Sequence, residues 1–143
     1  MSENNDKNNH THCHNPIEKQ QKMADSLQMM LTELNQVSDL EERLEIARLA
    51  YLAKAPMAVV YYTGELLNCI KGAKDNNDAE AVVEYGREFL KVALPNAAES
   101  TAKMIAEEIT SQEIANKYIE IAEKEKSLGN TRDFSVMIAE NIK

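Results

Sequence analysis

His10, His12, Cys13 and His14 are the residues of this 143-residue chain with the clearest capacity for chemistry, and no histidine follows them. In an extended segment, side chains two apart share a side, so three imidazoles project together while Cys13 faces the other way. Neutral imidazole and thiolate are ligands for Zn2+, Ni2+ or copper ions. A closed site also needs a fourth, fixed ligand and partners that orient the rings. The rest of the chain supplies no histidine, so the shell would be completed by a carboxylate, Cys69, water or a second copy's tail. The opposing reading is an asparagine-rich leader with incidental histidines, which by composition is expected to be disordered over residues 1–15. Nickel superoxide dismutases also place His and Cys ahead of a helical bundle, but their hook needs a second nearby cysteine that is missing here.

A second candidate is a polar stripe. If the helical pattern runs unbroken through Pro56, then Lys54, Ala58, Tyr61, Glu65 and Asn68 recur at alternating steps of four and three. Tyr61, Glu65 and Asn68 would then line a polar groove able to hold a small polar ligand or a peptide. The plainer alternative makes the same stripe the solvent side of a mostly buried helix. Other catalytic arrangements fail on residue type. Glu41-Glu42 and Glu107-Glu108 are adjacent and diverge on a helix, and Glu-x-x-His pairs for a di-iron site do not exist. Serine or cysteine nucleophiles lack a body histidine, and Gly64, Gly72, Gly86 and Gly129 are isolated and form no phosphate loop. The expectation is a non-enzymatic protein.

Acidic residues outnumber basic ones by 24 to 16, a formal net charge of −8, spread along the chain. Nucleic acid is disfavoured as a partner, because binding a phosphate backbone calls for a basic patch. The most apolar stretch, Leu49 to Ile70, is interrupted by Lys54, Pro56 and Glu65 and falls short of a membrane span. The amino terminus lacks the charged start and apolar centre of a signal peptide, and two cysteines in dissimilar contexts make no disulfide framework. These features point to the cytoplasm.

The elements that must position any site read as helices. Asn15-Pro16-Ile17-Glu18 is a cap, a proline at the first helical position and a carboxylate at the third. Ala24, Leu27, Leu31 and Leu34 then recur at helical steps, widened by Met23, Met30 and Val37. Ser38 with Glu41 opens a second helix through Leu40, Leu44, Ala47 and Tyr51, with Pro56 either kinking or ending it and Gly72 as the left-handed stop. Met57 to Thr63 has strand-like composition but no partner strand, so the strand is rejected. Further caps are expected at Asn77 with Glu80, Asn96 with Glu99 after Pro95, and Thr110 with Glu113, the last flanked by a staple of Ile109 and Ile114. Gly129 ends the sixth helix, and Phe134, Met137 or Ile138, and Ile142 mark a seventh.

Asp78 to Glu99, with Leu128-Gly129-Asn130 and a spacing near 34 between Tyr51, Tyr85 and Tyr118, resembles tetratricopeptide hairpins. The small stacking residues do not recur in register, so the likeness implies only antiparallel helical neighbours. The fold expected is all-α: an antiparallel bundle or short hairpin array of six to seven helices, a single domain over 16–143 behind the tail. Its expected function is a helical interaction module such as an adaptor, inhibitor or chaperone-like protein, with metal binding through the tail as the alternative. Leu27, Met30, Leu31 and Leu34 on the first helix are the candidate contact residues for another protein or a second copy.

Overall fold

The computed structural model describes residues 16–143, and these are helical throughout, with seven α-helices, one 3₁₀ turn and no strand among them. His10, His12, Cys13, His14 and the expected Asn15 cap lie outside the described residues. Two compact units divide the chain, 16–62 and 63–143 as described here, with the border inside one helix between Tyr62 and Thr63.

The first unit holds α1 (Pro16–Thr32), a 3₁₀ turn (Leu34–Gln36), α2 (Leu40–Leu52) and the start of α3 (Ala58–Asp75). Helices α1 and α2 pack on each other, and the 3₁₀ turn packs on both. The turn breaks the stripe expected to run unbroken to Leu34, and the Arg43 guanidinium closes it by donating to the Val37 carbonyl at 3.2 Å. The buried residues are Ala24, Leu31, Leu34, Leu44, Ala47, Ala50, Ala55, Ala58 and Tyr62. Five of these nine are alanines, so the helices approach closely but the core is thin. The Tyr51 and Tyr62 rings meet at a tilt of 34°, with centroids 5.1 Å apart.

Pro56 separates two helices and does not kink one. Leu52 ends α2, and the chain turns through Lys54 and Met57, both at positive φ (60° and 65°). The Lys54 amide donates to the Tyr51 carbonyl at 3.0 Å and the Ala55 amide to that of Ala50 at 2.9 Å, the Schellman arrangement that satisfies orphan carbonyls at a helix end. The same arrangement ends α3 at Asn77 (φ 57°), with Asp78 donating to the Ala73 carbonyl at 2.9 Å. Gly72, expected to stop this helix, instead lies inside it.

The second unit holds the rest of α3, α4 (Ala79–Val92), α5 (Pro95–Glu107), α6 (Gln112–Ser127) and α7 (Phe134–Glu140). Helix α7 is short but central, packing on α4, α5 and α6. Phe134, Val136 and Ile138 are buried there, as are Val82 and Val83 of α4, Ile105 of α5 and Tyr118 of α6. Gly86 makes room for it: a Cβ at that position would overlap Cδ2, Cε2 and Cγ of the Phe134 ring, all inside 3.0 Å. Gly129, at φ 90°, ends α6 in a third Schellman turn, where Asn130 donates to the Glu125 carbonyl at 2.9 Å.

Three caps sit one residue beyond the expected position. Asp39, not Ser38, accepts from the Glu42 amide at 3.1 Å; Asp78, not Asn77, from that of Ala81 at 3.1 Å; Ser111, not Thr110, from that of Ile114 at 3.5 Å. The aspartates add a negative charge at the positive end of the helix dipole, which the neutral Ser38 and Asn77 cannot. Helix α5 has no side-chain cap, since Leu94 precedes Pro95 at the first helical position and Asn96 is already inside.

Candidate functional site

The antiparallel pairing of α1 with α2 leaves an open cleft of about 700 Å³ lined by Met23, Leu27, Leu49, Leu52 and Ala53, with Gln20, Lys22 and Ser26. Its walls come from the amino-terminal half of α1 and the carboxy-terminal end of α2. On α1, Met23, Leu27 and Met30 recur at steps of four and three, so they share the edge of the apolar face next to the core residues Ala24 and Leu31. On α2, the buried residues Leu44, Ala47 and Ala50 occupy one side. Leu49 and Leu52, three apart, stand on the other and turn toward the cleft. Met23 is 58% and Leu52 65% exposed.

Of the contact residues expected on α1, Leu31 and Leu34 are buried at 2% exposure each, Leu27 is half-buried, and Met30 is 47% exposed. Leu27 and Met30 are therefore the two that reach a surface. Leu49 and Leu52 were not singled out from sequence because they fall off the helical stripe of Leu44, Ala47 and Tyr51. A signal for them was present all the same: no acidic residue occurs between Glu45 and Glu65.

Residues 16–62 are 47 residues of the chain, yet among the described residues they hold eleven of the thirteen large apolar side chains that stand exposed. Only Leu94 and Leu128 belong to the other unit. An exposed leucine alone carries no information, but a concentration of this kind does.

The polar stripe does not form as expected. Lys54 lies in the turn ahead of α3, Ala58 is buried, and Tyr61 and Asn68 are exposed, whereas Glu65 is 5% exposed and accepts a hydrogen bond from Asn68 Nδ2 at 3.3 Å. With Glu65 turned inward and Asn68 outward, the row is not one continuous surface.

In the second unit, charge is organised around α7. The Arg87 guanidinium donates to both Asp133 oxygens, through Nε at 2.7 Å and Nη2 at 3.3 Å, and stands 3.6 Å from Glu125. Asp133 also accepts from the Ser135 amide at 3.2 Å and from the Ser135 hydroxyl. Burial alone would raise the Asp133 carboxyl, but the Arg87 and Ser135 hydrogen bonds outweigh it and hold the group below its ordinary value. The hydrogen bond to Asp133 in turn raises Arg87. Lys74 pairs with Glu108 and is raised chiefly by that hydrogen bond. Burial pushes the Tyr118 hydroxyl up to about 12. Each of these groups is matched by a structural partner or by burial in the core, and together they fasten α7 and the end of α3 onto their unit.

No group of three or more His, Cys, Asp or Glu side chains that could hold a metal ion exists among the described residues. Nor is any described helix long and apolar enough to cross a membrane. Comparison of the chain with protein-family models, with curated proteins and with solved structures finds no match.

Proposed function

We propose that this chain is a non-enzymatic helical interaction protein, and that its amino-terminal unit receives an amphipathic helix of a protein partner in the cleft between α1 and α2. The observation that carries this reading is the concentration of exposed large apolar side chains in residues 16–62 around an open, mostly apolar trough. Methionine suits such a surface, because its unbranched thioether adapts to the shape of what it meets. Among the described residues, Lys22 is the only charged one lining the trough, so apolar contact supplies the affinity and the rim contributes little. An apolar stripe at helical spacing is the natural complement of a groove walled by two helices. A cytoplasmic setting fits Cys69, which is buried and forms no disulfide among the described residues.

Capture from an extract of the native host, with the wild-type chain and a Leu49→Glu/Leu52→Glu variant in parallel, tests the proposal. A protein retained by the first and lost by the second supports it. Equal retention by both overturns it, as does none by either from a chain that also fails to associate with itself.

A further inference from the structure

We infer that the helix received by the cleft is α1 of a second copy of this chain, so that two copies form a two-fold dimer through their amino-terminal units. The inference rests on the interaction reading above and names its partner.

Three observations converge on it. The first is self-complementarity. Helix α1 is both a wall of the cleft and an amphipathic helix with apolar side chains left over, since Met23 and Met30 stand exposed beside the half-buried Leu27. In a two-fold contact, residue i meets j while j meets i. An α1 laid antiparallel over the cleft places its Met23 and Leu27 against Leu49 and Leu52, and its own cleft receives the first copy's Met23 and Leu27 in return.

The second is area. A fully exposed aliphatic side chain offers on the order of 60–120 Å² of apolar surface. Met23, Met30, Leu49 and Leu52 are about half exposed, which gives on the order of 200 Å². A stable interface covers roughly 800 Å² per partner, a little over half of it apolar. These four side chains therefore supply close to half of the apolar share of such an interface. The thin, alanine-rich core of this unit gains the layer that it lacks.

The third is charge. Residues 16–62 carry seven acidic and five basic side chains, a formal −2, whereas residues 63–143 carry fifteen and ten, a formal −5. Two identical acidic chains meet with least repulsion where carboxylates are absent, and the stretch from Ile46 to Gly64, which holds Leu49 and Leu52, contributes Arg48 and Lys54 with no carboxylate. A partner of strong opposite charge would find no matching field there.

Sedimentation velocity on the full chain from about 1 to 500 µM, with methionine-methyl NMR over the same dilution series, decides the matter. The expected result is a concentration-dependent dimer in which the Met23 and Met30 methyl signals shift while those of Met104 and Met137 hold still. Leu49→Glu/Leu52→Glu should weaken association at least about 100-fold, because four leucines per dimer are lost and each contributes about three- to tenfold. Unchanged far-UV circular dichroism should accompany that loss, both leucines being outside the core. A monomer with constant methyl signals up to 500 µM overturns the inference, as does a dimer indifferent to the double substitution. A monomer that still retains a different protein in the capture experiment overturns the second copy alone. Failure of both experiments overturns the interaction reading as well.

Discussion

Replacing Gly86 by alanine sets two effects of opposite sign against each other. Alanine is the better helix former by about 1 kcal/mol, so at a solvent-facing position of α4 the change would stabilise the protein. Gly86 is buried, however, and a Cβ there overlaps three atoms of the Phe134 ring. Phe134 is itself fully buried at the start of α7, and α7 is fastened by the Arg87–Asp133 pair, so the ring cannot swing into solvent. Overpacking of this kind costs about 1–3 kcal/mol and occasionally more, and an overlap with ring carbons belongs at the upper end. The net expectation is a loss of about 2 kcal/mol. A unit of this size shifts its melting temperature by about 4–8 °C per kcal/mol, so Gly86→Ala should melt about 8–16 °C lower. Urea and thermal unfolding followed by circular dichroism measure this. Phe134→Leu should restore room, so the double mutant Gly86→Ala/Phe134→Leu should be more stable than the sum of the two single losses by at least about 1 kcal/mol. A Gly86→Ala protein as stable as wild type would refute the seating of Phe134 on Gly86.

Asp133→Asn should destabilise the fold by about 1–3 kcal/mol at neutral pH through its hydrogen bonds to Arg87 and Ser135. The folded carboxyl is held below its ordinary value, so its contribution is present above pH 3.8 and lost as pH falls through the folded value; the substitution should flatten the acid limb of a stability–pH curve, and an unchanged limb counts against the pairing. At the other end, Tyr118 is raised to about 12, so its contribution fades as pH climbs from about 10 toward that value, and Tyr118→Phe should remove this alkaline loss. Lys54 holds a left-handed conformation, so Lys54→Gly should stabilise the first unit by about 1 kcal/mol in urea titrations, and Asn77→Gly by less because asparagine tolerates that region. For the tail, calorimetry with Zn2+, Ni2+ or copper on the full chain should show at best micromolar binding that is lost as the imidazoles protonate near pH 6.5; equal uptake by a chain beginning at Pro16 would sink a site made of His10, His12, Cys13 and His14.

The helical class and the number of helices were legible because apolar residues at helical spacing repeat between caps, and both signals are local. Boundaries were less so, for reasons that can be named. At Ser38-Asp39, Asn77-Asp78 and Thr110-Ser111 two adjacent side chains can each accept a helix amide, and a sequence pattern does not say which will. The structure chooses the second each time, and in two of the three the charge on aspartate gives the reason. Helix endings misled in a different way. Gly72 looked like a left-handed stop because glycine adopts positive φ without strain, yet Asn77 and Lys54 take that role in α3 and α2. There the gain is the pair of Schellman hydrogen bonds, which outweighs a conformational cost of about 1–2 kcal/mol.

The cleft was harder to read than the fold, and the difficulty is geometric. Leu27, Met30, Leu31 and Leu34 share a stripe in sequence, but burial divides them: Leu31 and Leu34 are buried in the unit where α1, α2 and the 3₁₀ turn pack together, and Met30 stays open. Which part of an apolar arc is covered depends on where the next helix crosses it, a long-range property that periodicity does not encode. Leu49 and Leu52 show the converse. They sit opposite the buried side of α2, where an amphipathic helix ordinarily carries polar residues. Their presence there conflicts with the local pattern of a solvent-facing side, and such conflicts concentrate where function has overridden stability. On the interaction reading proposed above, the same conflict marks the cleft as a surface that a partner would complete: a side chain that gains little from its own fold and costs solubility would be explained by what it contacts on association.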